Sequence, residues 1–113
     1  MTSAPYRWCV LFVDTDDQAA VVAHAGRLLG AATRLDVFRP PGFTVEVDRN
    51  PDPTRGAHFL DWPTTVAVDA DDDVSDRDMV HFVTALIEHL RAAGYRVGAE
   101  CDFTAELSPP DRR

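Results

Sequence analysis

Two amphipathic helical patterns, each set between strand-like runs, constrain this chain more than any other feature. Val21, Val22, Ala25, Leu28 and Leu29 share one helical face, and Met79, Val83, Leu86, Ile87 and Leu90 share another. A helix with one apolar stripe must bury it, and between two strands the surface on offer is a sheet. "YRWCVLFV", Tyr6 to Val13, is continuously apolar, as expected of a strand buried on both faces. "ATRLDVFRP" and "FTVEVDR" flank Pro40-Pro41-Gly42 and read as a hairpin, since Phe43, Val45 and Val47 alternate with polar residues. "TTVAVDA" and "YRVGAECDF" supply two more alternating runs.

The order β-α-β-β-β-α-β predicts an α/β chain of the α+β kind. The expected architecture is a ferredoxin-like sandwich with an extra strand, two helices lying on one face of a mainly antiparallel sheet. Thr15-Asp-Asp-Gln18 matches a capping box and predicts a first helix over 16–29, stopped by Gly30. Ser75 predicts the cap of the second helix, which ends at Gly94. "NPDPTRGAHFLDWP" reads as a long Pro-rich loop. A chain of 113 residues forms one domain and buries roughly two-thirds of its unfolded surface without metal or disulfides. That domain is expected over 5–107, with 1–4 and 108–113 as flexible tails.

Charge narrows the function. There are 19 acids against 11 bases, all of them arginine, for a net charge of −8. Residues 1–60 hold six arginines against seven acids, a sum of −1; residues 61–113 hold five against twelve, a sum of −7. The excess lies in the second half. Such a surface repels nucleic acid and anionic lipid and favours a basic protein partner. No apolar run approaches the ~20 residues that span a bilayer, and "MTSAPYRWCV" has no signal-peptide pattern. A cytoplasmic protein is expected, in which Cys9 and Cys101 are two reduced core thiols; a disulfide between neighbouring strands is the alternative.

"DADDDVSDRD", Asp69 to Asp78, places six aspartates in ten residues. Asp69, Asp71 and Asp73 sit at EF-hand positions 1, 3 and 5, but Val74 replaces the turn glycine and Val80 the bidentate glutamate, so that site is rejected. Helix capping accounts for Ser75, Asp76 and Asp78. Asp71, Asp72 and Asp73 lie ahead of the cap and repel one another, which suits either a solvated loop or a surface that steers a basic partner.

Enzymatic readings are weaker. "LFVDTDDQ" resembles the phosphoryl-transfer motif of haloacid-dehalogenase-type enzymes, with Asp14 as nucleophile and Asp16 as acid/base, but the chain has no lysine to complete it. A magnesium-dependent phosphoryl or nucleotidyl enzyme using Asp14, Asp16 and Asp69 at strand ends is the rival reading. The histidines form no ligand pair, since His81 and His89 are eight apart and no HExxH occurs, and there is no glycine-rich phosphate loop. Neither metal nor cofactor is expected. Phe59, Leu60 and Trp62 are large apolar residues in a loop; they either fold back over the core or, for Phe59 and Trp62, anchor an interface.

"RNPD" after a strand, "FLDWPTTVAVD" in mid-chain and "CDFTAEL" near the end resemble the motifs of a family of short, uncharacterised bacterial single-domain proteins. The resemblance covers about residues 6–107 and implies no catalytic residue. The chain is also similar in character to immunity proteins, being small, acidic and single-domain. The expected function is therefore an acidic protein-binding domain, an immunity-type inhibitor that masks a basic toxin or effector, without catalytic residues. Its expected partner-binding residues are Phe59, Trp62, Asp69, Asp71, Asp72, Asp73, Asp76, Asp102 and Glu106. A dimeric effector-sensing domain is the third possibility, so a monomer and a homodimer both remain open.

Overall fold

The computed structural model describes residues 5–34, 36–51 and 59–107, so the expected tails and the centre of the Pro-rich loop lie outside the described residues. The strands are β1 (Trp8–Val13), β2 (Val37–Phe38), β3 (Phe43–Arg49), β4 (Thr64–Ala70) and β5 (Val97–Glu100); the helices are α1 (Gln18–Leu29) and α2 (Asp76–Ala92). The five strands form one sheet in the order β2-β3-β4-β1-β5, every pair antiparallel. The α+β class and the element order follow the sequence pattern. Since β4 and β5 both run against β1, they are parallel to each other with β1 between them, and α2 joins them. By the same reasoning β1 and β3 are parallel on either side of β4.

Register sorts the side chains. Cys9 pairs with Val68, Leu11 with Val66 and Val13 with Thr64, all buried on the helix side. From β3, Val45 and Val47 join the same layer. Met79, Val83, Leu86, Ile87 and Leu90 of α2 close it from above, with Val21 and Ala25 of α1. Burying five such side chains contributes about 10 kcal/mol before the entropy of ordering them is subtracted.

The helix ends follow local chemistry, with one correction. Ser75 caps α2 as expected, its hydroxyl accepting from Asp78 N at 3.0 Å. At α1 the cap is Asp17, whose carboxylate accepts from Ala20 N at 3.0 Å, and the helix begins at Gln18. Thr15 accepts instead from Asp17 N at 3.1 Å, closing the turn before the helix. Two similar oxygens competed, and the one nearer the helix took the free N–H groups.

A second correction concerns β1. It was expected to be buried on both faces, but the helices cover one face only. Trp8, on the other face, is 41% exposed and Val10 is half-buried. The last strand is also shorter than its alternation predicts: after Glu100 the chain turns into a short 3-10 segment, Thr104–Glu106, while Phe103 and Leu107 bury into the core.

Candidate functional site

The face of the sheet away from the helices carries every second strand residue. Its middle is apolar, with Trp8, Val10 and Phe12 beside Ala67, and its flanks carry Glu46, Asp48, Asp69 and Glu100. No arginine belongs to this set of outward strand positions.

One end of the face is roofed. The 3-10 turn Phe59–Asp61 lies against Phe12, the two phenylalanine rings meeting edge to face at 5.9 Å. Phe59 rests directly on Gly98, where a Cβ would lie 2.3 Å from its ring, so only glycine admits it. Trp62 packs edge-on to Phe59 at 6.2 Å, and the Arg96 guanidinium sits 4.9 Å over the indole while its Nε lies 3.6 Å from Asp14. Asn50 holds this roof in place. Its side-chain Nδ2 donates to the carbonyls of Leu60 at 2.8 Å and Trp62 at 2.7 Å. Between roof and strands lies a groove of about 480 Å³ lined by Val10, Phe12, Leu60 and Ala67, with Thr65 and Glu100 among its polar lining.

The other end is acidic and open. Asp69 stands across from Trp8 in the β1–β4 register and is exposed, as are Asp71, Asp72, Asp73, Asp76, Asp102 and Glu106. Antiparallel pairing is what gathers them, because it brings the start of β1, the ends of β4 and β5 and the start of α2 to one end. The acidic loop is held firmly despite its charge. The Arg7 guanidinium donates to the carbonyls of Asp71 and Val74, and Asp71 N donates to Gly42 O at 2.8 Å. Val74 N closes the turn on Asp71 O at 3.1 Å.

Beside it, the Tyr6 hydroxyl donates to the Glu106 carboxylate while its ring stacks on Phe103 at 5.0 Å. The hydrogen bond to Glu106, then desolvation, then the charges of Glu106 and Asp76 hold the Tyr6 phenol above its ordinary value. The neutral phenol is thus favoured in the folded state. Its contribution is complete below about pH 10 and is lost as pH rises through the higher folded value. The difference between the spectrophotometric titrations of wild type and Tyr6→Phe should therefore be a phenol that ionises later than a free one; a difference at the ordinary phenol value would contradict the contact.

The sequence-predicted residues thus divide into two groups. The seven acids share one end. Phe59 and Trp62 lie at the other, beyond the length of β4, six residue steps or roughly 20 Å away. Both aromatics are half-buried and fold back over the sheet, the first of the two behaviours expected for them. The proposed magnesium constellation is not assembled. Asp14 follows the last residue of β1, whereas Asp69 pairs with Trp8 at its first, so antiparallel polarity sets Asp14 and Asp16 at the opposite end from Asp69. Among the described residues no group of three His, Cys, Asp or Glu side chains is placed to hold a metal ion.

Sequence reasoning missed Trp8, Arg7 and Tyr6. The available signal was weak: a tryptophan and two polar-tipped residues at the head of an otherwise apolar run. No family model, no curated protein and no solved structure matches the chain. Among the described residues no helix is long and apolar enough to cross a membrane.

Proposed function

We propose that this chain is an acidic protein-binding domain of the immunity type, a cytoplasmic inhibitor that docks on and masks a basic surface of a toxin or effector. The observation that carries the reading is Trp8, 41% exposed on the helix-free face with Asp69 directly across from it. An exposed indole offers the anchor that dominates interface energetics. Asp71, Asp72 and Asp73, on a loop pinned by Arg7, supply a field concentrated in one direction. Such a field raises the association rate for a basic partner and repels nucleic acid. Phe59 and Trp62 act indirectly, by roofing the far end of the face and keeping it in shape.

A dimeric sensing domain would use the same face, yet pairing two copies there brings together two surfaces whose outward charged strand positions, Glu46, Asp48, Asp69 and Glu100, are all acids. Like charges in a desolvated interface weigh against it. Sedimentation at low salt should accordingly find a monomer.

The partner is sought by immobilising the chain against the proteins of its native host, and binding to the purified partner is then timed at several salt concentrations. Replacing Asp71, Asp72 and Asp73 with asparagine is expected to slow association about tenfold at low salt and flatten its salt dependence, with dissociation little changed. Trp8→Ala is expected to speed dissociation at least about tenfold. Equal association rates and equal salt slopes for wild type and the triple variant would remove the acidic end from the function.

A further inference from the structure

Cys9 and Cys101 stand far apart in sequence and are brought near one another where the β1–β5 ladder ends. Val10 pairs with Glu100 at the end of the β1–β5 ladder, so Cys9 and Cys101 are the next residue on each side, Cys101 at the bend that follows β5. The Cys101 side chain packs against the core cluster that contains Cys9, close enough to act on its thiol. Carried one residue past β5, that register would hold the two Cα atoms about 4.5–5.5 Å apart, inside the 4.4–6.8 Å range that a disulfide spans. Both cysteines carry free thiols. Their surroundings differ: Cys9 is sealed in the core, while Cys101 is half-exposed at the bend that follows β5.

We propose that Cys9 and Cys101 form a thiol–disulfide exchange site that takes a low-molecular-weight disulfide as its oxidant. Cys101 Sγ attacks one sulfur of the reagent; the reagent's S–S bond breaks, and one thiolate leaves and takes up the proton that Cys101 released. Cys9 Sγ then attacks Cys101 Sγ, the mixed disulfide breaks, and the second reagent thiol departs with the proton of Cys9. Two protein thiols are oxidised to one disulfide, and the reagent is reduced to two thiols. The order of attack follows from burial. Desolvation, strengthened by the neighbouring Cys101 thiol, pushes the Cys9 thiol far up, so Cys9 resolves an intermediate rather than starting one. The closed bridge ties the turn that carries Asp102 to β1 beside Trp8. It links residues close to both ends of the domain, so it constrains the unfolded chain strongly and raises resistance to urea.

The test incubates the full chain with glutathione disulfide, blocks remaining thiols with N-ethylmaleimide and weighs the intact protein. The wild type is expected to lose the mass of two hydrogens, take up no maleimide, keep no glutathione and unfold at a higher urea concentration than its reduced form. Cys9→Ser and, should that variant fold poorly, Cys9→Ala are expected to stop at one retained glutathione. Cys101→Ser is expected to react at least about tenfold more slowly than wild type. A wild type that retains glutathione or does not react, or a Cys101→Ser variant that reacts at the wild-type rate, would overturn the proposal.

Discussion

Alanine at Gly98 is expected to destabilise the fold by about 2–3 kcal/mol, the reverse of what the same change does in an unobstructed strand. The added Cβ would lie 2.3 Å from Phe59 Cδ2, 2.5 Å from Cγ and 3.0 Å from Cβ. Contact with Cβ means that turning the ring does not clear the clash; the backbone of the 3-10 turn must lift. That motion is opposed by the Asn50 hydrogen bonds and forfeits the edge contact with Phe12, itself worth about 0.5–1.5 kcal/mol. A double-mutant cycle in urea isolates the effect. In a Phe59→Ala background Gly98→Ala should cost nothing or stabilise slightly, because the obstruction is gone and alanine restricts the unfolded chain. Additive costs in the two backgrounds would show that Phe59 is not what demands glycine.

Loss of the Asn50 side chain should be of similar size. Asn50 is 5% exposed, and its one amide group serves the carbonyls of Leu60 and Trp62 at once, while its backbone N–H donates to Pro63 O at 2.8 Å. Asn50→Ala removes at least these two side-chain hydrogen bonds, at about 1 kcal/mol each, from part-buried acceptors, for a total of about 2–4 kcal/mol. Asn50→Asp discriminates between packing and hydrogen bonding. Its shape is the same, but an ionised carboxylate offers only acceptors to two carbonyl oxygens, so it should destabilise more than alanine at neutral pH. Its folded pKa would be raised, so part of the stability should return as pH falls and the carboxyl acquires a proton to donate. Urea midpoints at pH 7 and pH 4 for both variants check this. An aspartate variant as stable as wild type at neutral pH would show that Asn50 acts by volume alone.

These two positions were invisible to pattern reading for a simple reason. Gly98 looked like an ordinary residue in an alternating strand, and Asn50 like the start of a Pro-rich loop. Each matters through a segment distant in sequence that lands on it. Trp8 presents the same problem from the other side. The run from Tyr6 to Val13 is apolar throughout, and nothing local distinguishes a strand covered twice from one whose second cover stops halfway along. Here the Phe59 roof reaches Phe12 and leaves Trp8 open.

Where the governing interactions are short-range, the chain's own pattern was sufficient. The stripe Met79–Leu90, the Ser75 cap, the turn at Pro40-Pro41-Gly42 and the alternation of Phe43–Arg49 follow from helix period, pleat and backbone sterics, which neighbouring residues impose on one another. The negative charge of the second half was likewise evident from residue counts. Only the tertiary structure decided which ends and faces meet. Strand polarity put Asp14 and Asp69 apart, drew Asp69, Asp102 and Glu106 to one rim and brought Cys101 to the core that holds Cys9. Pairing partners are chosen by the burial of the whole sheet, a free energy summed over residues distant along the chain, and no local window contains it.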